Sequence, residues 1–426
     1  MTLREMLRRG PIMAVKDFSN PYEFSARSYE WRLHCGPEAI ENRLKEEVIR
    51  LGAKRAFVFC SPSIKSKTNS VERVQAALGP LFAGYFDGIH VEAPYPDVVA
   101  ATEAAREAGA DLLISLGAGT IVVATRVINI YLCETGDHQA MATQYPEGKP
   151  AVSPRLNAPK LPTINITTTP TGAMNRGGQG VASPHLDQNR LEYFDPKTRP
   201  AALIWDHEAI MATPLNMMRG FCINGYIGSA LGAGRRSENP LVEADREHMK
   251  ALHQRAYRRM HEDPNAIDWR IDLFTSALLG NRAADDSLRG AHMHNGESFE
   301  SDYGLGTALH IRFPHVWQQD SGSALRATVI RQSKAPSKET LEAVARALNI
   351  WQDGRSLEQT QMAIADEVER IYRAEGMPAS VRELKISKED FPAIAQDSIK
   401  IFNSNAGLRD PENHVRGAIA MLEAAW

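Results

Sequence analysis

A loop of small residues follows an apolar run in the first third of the chain, and it is the segment best suited to bind an anion. Residues 111–116 have the pattern of a buried strand, residues 117–120 read Gly-Ala-Gly-Thr, and a helical pattern follows. Small residues let the backbone approach an anion, which the free N–H groups and the positive end of the helix dipole then bind. The pattern predicts a pyrophosphate site; a tight strand-to-helix turn that requires glycine would give the same pattern.

A set of histidines in the second half is the other group that can do chemistry. His292 and His294 are separated by one residue, and His310 follows them. Three imidazoles suit zinc, so one hypothesis is an unusual metal site formed by these side chains. Polar lining of a substrate cleft is the interpretation that we favour.

The composition restricts the classes of protein that can present these residues. A chain of 426 residues, 43% of them hydrophobic, predicts a globular protein of two or three domains. Its 49 basic and 52 acidic side chains give a net charge of −3, which does not favour nucleic acid or an anionic membrane as the main partner.

Cysteine usage and hydropathy indicate the compartment. Cys35, Cys60, Cys133 and Cys222 are scattered with no C-x-x-C pair, which argues against a disulfide framework and against a thiolate zinc site. The N-terminus lacks the apolar core of a signal peptide. The longest uncharged apolar stretch, residues 112–124, is too short for the roughly 20 residues of a membrane span. We therefore expect a cytoplasmic protein.

The hydrophobic pattern divides the chain into two parts. Strand patterns alternate with single helices in the first part, which predicts a parallel sheet with right-handed crossovers. These strands are expected at residues 55–60, 84–91, 111–116, 162–166 and 201–205. Helical patterns dominate after Pro214, at residues 215–231, 244–259, 340–350, 356–374 and 416–425. We predict an α/β Rossmann-like domain over residues 1–206 and an all-helical substrate domain over residues 207–426, with a ligand cleft between them.

The order of these motifs resembles the iron-containing (group III) alcohol dehydrogenase superfamily, which includes the maleylacetate reductases. The matching segments are residues 33–36, 52–54, 84–126, 162–172, 200–214, 239–240, 296–306 and 407–411. This resemblance implies the dehydroquinate synthase-like fold, with NADPH or NADH bound to the N-terminal domain. It also implies a small-molecule substrate in the interdomain cleft and a homodimer.

The resemblance assigns cofactor-binding roles by position. The residues that match the family's pyrophosphate loop are Gly117, Ala118, Gly119 and Thr120. Thr168 and Thr169 match its paired threonines, and Arg190 lies where the family keeps a lysine near the cofactor. Two departures are Val123, where the dehydrogenases often have Asp, and residues 170–175, which differ from the usual Gly-Thr-Gly-Ser-Glu.

The residue after the second strand bears on the choice between NAD and NADP. NAD-preferring relatives often have an Asp there that binds the adenosine ribose and repels a 2′-phosphate. This chain has Ser61, with Lys65 and Lys67 nearby. We predict that NADPH is accepted and that Ser61 and Lys65 contact it; two lysines on a solvated loop are the alternative interpretation.

The positions of the family's metal ligands carry other residues here. The family holds its divalent ion with one Asp and three His, and counting along the chain places these at Asn224, Gly228, Leu309 and Ser321. Gly and Leu have no ligating side chain, and Asn and Ser are poor ligands for a transition ion. We therefore expect no metal. A shift of one residue in this count would restore one ligand, His310.

Reduction of a carbonyl without a metal requires another group to polarise and protonate the oxygen. The candidate catalytic residues are His310 as the acid, Arg312 as a clamp for a substrate carboxylate, Asn224 and His315. The leading hypothesis is a metal-independent NAD(P)H-dependent oxidoreductase that reduces a small carbonyl or unsaturated, carboxylated compound. A metal-dependent alcohol dehydrogenase with relocated ligands and a non-catalytic nucleotide-binding protein are the alternatives.

Overall fold

A twisted parallel sheet organises the first half of the protein. The computed structural model describes residues 24, 26, 29–183, 189–235, 239–286, 299–402 and 410–426. Its strands are β1 (Arg32–Gly36), β2 (Ala56–Phe59), β3 (Phe82–Phe86), β4 (Leu112–Gly117), β5 (Thr163–Thr167), β6 (Gly178–Ala182), β7 (Arg190–Phe194) and β8 (Ala202–Asp206). Within the described ranges the sheet has six parallel strands in the order β1-β8-β5-β4-β2-β3. Strands β2, β4, β5 and β8 are buried along their whole length, as expected for a parallel sheet covered on both faces.

Helices cover both faces of this sheet. They are α1 (Ala39–Arg50), α2 (Pro62–Lys67), α3 (Ser70–Leu78), α4 (Tyr95–Glu107), α5 (Gly119–Cys133), α6 (His138–Met141) and α7 (His207–Met211). The apolar sides of α1 and α3 pack on one face of the sheet. Helices α4 and α5 pack on the opposite face, where the antiparallel hairpin of β6 and β7 covers α5.

The second half is helical wherever it is described. Its helices are α8 (Leu215–Leu231), α9 (Pro240–Glu262), α10 (Asp268–Asp286), α11 (Tyr303–Arg312), α12 (Gln318–Gln332), α13 (Lys338–Ala347), α14 (Leu357–Ala374), α15 (Phe391–Ser398) and α16 (Pro411–Ala424). One apolar core joins α8, α9, α10, α12, α13 and α14 with buried residues of the sheet such as Leu203 and Trp205. None of the described helices has the length and apolar character needed to cross a membrane.

The predicted fold class is confirmed, with local differences. Strand β3 ends at Phe86, and residues 87–91, which the pattern included in a strand, are not part of it. The hairpin of β6 and β7 and the helices α10, α11, α12 and α15 were not anticipated. The last strand of the sheet ends at Asp206, which α7 follows directly. The division into domains at residues 206 and 207 stays a prediction.

Candidate functional site

The sheet topology creates a crevice at the carboxyl ends of β2 and β4. These strands are neighbours in the sheet, yet the chain leaves β2 toward α3 on one face and leaves β4 toward α5 on the other. Ligands of open parallel sheets bind at such a switch point. Ser61 lies just beyond the end of β2, and the loop of residues 117–120 follows β4 at the same edge.

The geometry of the loop after β4 suits a close approach to an anion. The N-cap of α5 is Ala118, which gives no side-chain cap, and the first turn of the helix has no acidic residue. The N–H groups at the very start of this turn are therefore available to a ligand, whereas the Ile121 N–H already donates to the Ala118 carbonyl at 3.1 Å. A Cβ atom on Gly119 would lie 2.7 Å from Thr171 Oγ1, and Gly117 has a φ of +153°, so both positions require glycine. Ala118, Gly119 and Thr120 are half-buried, which leaves them accessible from the crevice.

The loop after β5 lies against this first loop. Gly117 pairs with Thr167 in the sheet register, and the Thr168 N–H donates to the Gly117 carbonyl at 3.0 Å. The Thr169 hydroxyl is buried and has no hydrogen-bond partner within the described chain. An unpartnered hydroxyl next to an uncapped helix start fits a polar ligand such as the phosphates of a dinucleotide. These two loops bring together the residues that the sequence assigned to the pyrophosphate.

The other predicted cofactor residues already have protein partners. Ser61 is the N-cap of α2, and its Oγ accepts from the Ile64 N–H at 3.4 Å. Lys65 forms an ion pair with Glu72, and its Nζ lies 5.1 Å from the centre of the Tyr85 ring. A 2′-phosphate would compete with Glu72 for this lysine. The roles of both residues in cofactor binding stay predictions.

Arg190 lies among charged residues of the chain itself. It lies on β7, and its Nε is 3.2 Å from Glu192 Oε1. Its guanidinium packs over Gly180, so closely that a Cβ atom at this position would overlap it. Its positive charge also acts to lower the pKa of Glu92. Arg190 is therefore an ion-paired residue near Glu92, and its predicted contact with the cofactor remains untested.

The predicted acid, His310, lies near a carboxylate that the sequence did not reveal. Its imidazole is buried on α11, with Nδ1 at an ion-pair distance of 3.2 Å from Glu92 Oε1. Burial acts to raise the pKa of Glu92, but His310 and Arg190 hold that pKa below its ordinary value. Glu92 and Ala93 are consecutive residues with left-handed backbone, φ +62° and +49°, a strained arrangement that often marks functional sites.

Arg312 and His315 are engaged in other contacts. Arg312 Nε and Nη2 lie 3.0 and 2.8 Å from the same oxygen of Asp397, which also accepts from Asn189 at 3.1 Å. His315 Nε2 lies 3.1 Å from the Leu384 carbonyl. The structure does not place these two side chains in one group with His310, and a substrate carboxylate would have to displace Asp397 from Arg312.

The positions of the expected metal ligands do not fit a metal. Asn224 Nδ2 donates to the carbonyls of Gly220 and Gln319, both at 3.1 Å, and its Oδ1 accepts from the Tyr372 hydroxyl at 2.8 Å. Ser321 Oγ donates to the Gln318 carbonyl at 2.9 Å. Gly228 and Leu309 have no ligating group. The described ranges contain no group of three or more His, Cys, Asp or Glu that could hold an ion, and His292 and His294 lie outside these ranges.

Two residues that the sequence analysis missed lie beside Asn224. The first is Tyr372 on α14, whose hydroxyl bonds Asn224. The second is Arg326 on α12, whose Nη2 would lie 3.8 Å from a Cβ atom built on Gly322. The Nε of Arg326 bonds Asp302. Arg326 could have been found from the sequence. It follows Gly322, the neighbour of the expected ligand position Ser321, by four residues, and residues four apart share one face of a helix. Tyr372 left no such signal in the sequence.

Comparisons with known proteins agree with this architecture. The profile of the family described as iron-containing alcohol dehydrogenase matches residues 31–207. Maleylacetate reductase 2 of Cupriavidus pinatubonensis is 37% identical over 109 residues, which cover 26% of this chain and 29% of that relative. Maleylacetate reductase 1 of the same organism is 24% identical over 352 residues, 82% of this chain and 84% of the relative.

A solved structure extends the comparison to nearly the whole fold. A 1,3-propanediol oxidoreductase superposes with a TM-score of 0.75 at 17% identity, over 96% of this chain and 100% of that one. Residues 31–207 thus match the iron-containing alcohol dehydrogenase family, and the chain is similar over most of its length to a maleylacetate reductase. The relatives and structural neighbours in these comparisons are alcohol dehydrogenases and reductases.

Proposed function

We propose that this protein is a metal-independent NAD(P)H-dependent reductase of a small carbonyl or unsaturated compound that carries a carboxylate. The observation that carries the proposal is the junction of the two loops, where Gly119 lies against Thr171 at the uncapped start of α5. Metal independence is supported by the four expected ligand positions, where two residues lack a ligating group and two are used in hydrogen bonds. The names of the similar maleylacetate reductases support a carboxylated substrate.

The roles of the chain's own residues follow from this proposal. When bound, the nicotinamide cofactor supplies the hydride. The N–H groups of residues 118–120 bind its pyrophosphate, and Thr169 offers a hydroxyl that has no partner within the described chain. His310 donates the proton to the substrate oxygen, and Glu92, whose Oε1 lies 3.2 Å from His310 Nδ1, orients the imidazole.

The first experiment measures dinucleotide binding by tryptophan fluorescence. We expect Gly119→Asp to weaken NADPH binding by at least about 100-fold, because it places a carboxylate at the anion site and a Cβ atom against Thr171. The control is Gly417→Asp, which adds the same charge to an exposed position of α16, where a Cβ atom has no heavy atom of the described ranges within 4 Å. Unchanged NADPH affinity in Gly119→Asp would contradict the assignment of the loop.

The second experiment measures NAD(P)H oxidation with a panel of carboxylated carbonyl and unsaturated compounds. Turnover that persists after chelation supports the proposal. Turnover that disappears on chelation and returns with iron or zinc would favour a metal-dependent dehydrogenase instead. Tight NADPH binding without turnover on the whole panel would favour a non-catalytic nucleotide-binding protein.

A further inference from the structure

Two glycines on facing helices leave open space beside the expected metal position. Asn224 and Gly228 are one turn apart on α8, so they share the face that packs on α12. A Cβ atom on Gly228 would meet no heavy atom of the described residues within 4 Å. Within the part of the chain that the structure describes, a Cβ atom on Gly322 of α12 would have only the Asn224 Oδ1 and the Arg326 Nη2 within that distance, both at 3.8 Å. This space, which we call the glycine gap, is therefore lined by an amide and a guanidinium.

Arg326 is held in a fixed orientation at the glycine gap. Its Nε bonds Asp302, which is itself 9% exposed, and the arginine side chain keeps 23% of its surface exposed. Burial opposes the charge of Arg326, but Asp302 more than compensates and the pKa of the guanidinium is raised. An arginine remains protonated in proteins and presents several N–H donors in a rigid plane. Arg326 therefore brings a permanent positive charge to the position beside Asn224.

A second arginine adds positive charge to the same region. Burial lowers the pKa of Arg235, and the charges of Arg246 and Arg326 lower it further. The Nε of Arg235 and the Nη1 of Arg246 are buried and have no hydrogen-bond partner among the residues that the structure describes. Two neighbouring guanidinium groups with buried N–H donors that have no partner in the described ranges are costly unless an anion binds near them.

We propose that Arg326 takes the electrophilic role that a metal has in relatives, and that Arg235 binds the carboxylate of the substrate. This inference rests on the proposed reductase function. The substrate carbonyl lies in the glycine gap with its oxygen at Arg326 Nη2. A C–H bond forms by hydride transfer from NAD(P)H to the carbonyl carbon, and the π electron pair of the C=O bond moves to the oxygen. The oxygen, stabilised by Arg326, then takes a proton from His310, and NAD(P)⁺ is released.

His310 lies on a helix that packs against α12. Gly306 and His310 are one turn apart on α11, which places them about 6 Å from each other on the same face. A Cβ atom on Gly306 would lie 3.4 Å from Ser321 Oγ, and Ser321 is adjacent to Gly322. Helix α11, which carries His310, therefore contacts α12 at the residue beside Gly322.

The test uses the full-length protein with a substrate found in the carbonyl panel. We expect Arg326→Ala to lower kcat by about 100- to 1000-fold with NADPH affinity unchanged, because it removes a donor used in the transition state. Added guanidinium ion at a non-denaturing concentration should restore part of kcat, and added iron or zinc should not. Arg235→Gln should instead raise KM for the carboxylated substrate by about 10- to 100-fold with a smaller change in kcat.

Two further variants keep the test decisive. Arg331→Ala is the matched control, because Arg331 lies on the same helix and is ion-paired with Asp366 and Glu369. If Arg326→Ala fails to fold, Arg326→Lys replaces it in the test. The lysine retains the positive charge but lacks the planar guanidinium with its several N–H donors, and we expect the same loss of kcat from a folded protein. A kcat within about twofold of wild type in the Arg326 variants would overturn the inference and leave the reductase proposal intact. A wild-type protein that binds NADPH but reduces no compound of the panel would overturn both.

Discussion

The Tyr372 hydroxyl donates a hydrogen bond of 2.8 Å to Oδ1 of Asn224, at the position where the family resemblance places a metal ligand. The other end of the same amide donates to the carbonyls of Gly220 and Gln319. All the polar atoms of the Asn224 side chain are thus used within the protein. Asn224 therefore connects α8, α12 and α14, and its amide is held in one orientation at the edge of the glycine gap.

The first prediction concerns this connection. Tyr372→Phe removes the hydroxyl that donates to Asn224 Oδ1, so this oxygen loses its hydrogen bond. The free energy of unfolding, measured by urea denaturation, should fall by about 1 kcal/mol. The matched control is Tyr85→Phe, because Tyr85 is 39% exposed and water replaces its hydroxyl contacts. Equal stability of the two variants would argue against a hydrogen bond at Asn224.

The second prediction tests the acid and its orienting carboxylate. We expect His310→Gln to lower kcat by about 100-fold or more with NADPH affinity unchanged, because the proton donor is lost. Glu92→Gln should lower kcat by a smaller factor, about tenfold, because the imidazole remains but loses its charged partner. His90→Gln is the control, since His90 is exposed and paired with Asp97. A full kcat in His310→Gln would exclude this residue as the donor.

The third prediction concerns the choice of nucleotide. Ser61 begins α2 at the end of β2, where a carboxylate would repel a 2′-phosphate. Ser61→Asp should shift the ratio of kcat/KM for NADPH over NADH by at least about tenfold toward NADH. Ser66→Asp, at an exposed position of the same helix, should leave the ratio unchanged. A similar shift in both variants would show a general charge effect and not a contact at Ser61.

The fourth prediction concerns the pH dependence of stability. Asp206 is fully buried at the end of β8, 2.8 Å from Arg73, and it accepts from the N–H groups of Ile40 and Ala209. Burial acts to raise the pKa of Asp206, but Arg73 and the two N–H groups hold it below the ordinary value. The ionised carboxylate thus stabilises the fold above its unfolded pKa of about 4, and this contribution is lost as the pH falls through the lower folded pKa.

Asp206→Asn should therefore cost on the order of 3 kcal/mol at neutral pH, because the half-buried Arg73 loses one of its two close carboxylate partners and keeps only Glu41. The difference from wild type should shrink as the pH falls below about 4. Urea denaturation across this pH range measures the difference in the free energy of unfolding between wild type and Asp206→Asn. The control is Glu46→Gln, because Glu46 forms an exposed ion pair with Arg43. A difference that stays constant with pH would contradict the role assigned to the Asp206 charge.

The sequence predicted the parts of the site that arise from local patterns. The loop of residues 117–120 is one example, because a buried strand, small residues and a helix follow each other directly along the chain. The structure places this loop and the threonines of residues 167–169 side by side. Parallel strands bring their carboxyl ends to one edge of the sheet, so this neighbourhood follows from topology.

The parts that the sequence did not predict depend on contacts between distant segments. Tyr372 and Asn224 come from different helices, and Glu92 meets His310 through a strained loop. Helices α11 and α12 contain Gly304, Gly306 and Gly322, whose low helix propensity hides the helical pattern. Packing against neighbouring helices stabilises these segments, and the same glycines leave the space beside Asn224.

Metal content and activity after chelation test the central claim most directly. The purified protein is dialysed against a strong chelator, its iron and zinc are measured by elemental analysis, and NADPH oxidation is then assayed with the carboxylated substrate. We predict far less than one metal ion per chain and a kcat equal to that of the untreated protein. One tightly bound iron or zinc ion per chain, with activity that is lost on its removal and restored by its return, would contradict the account.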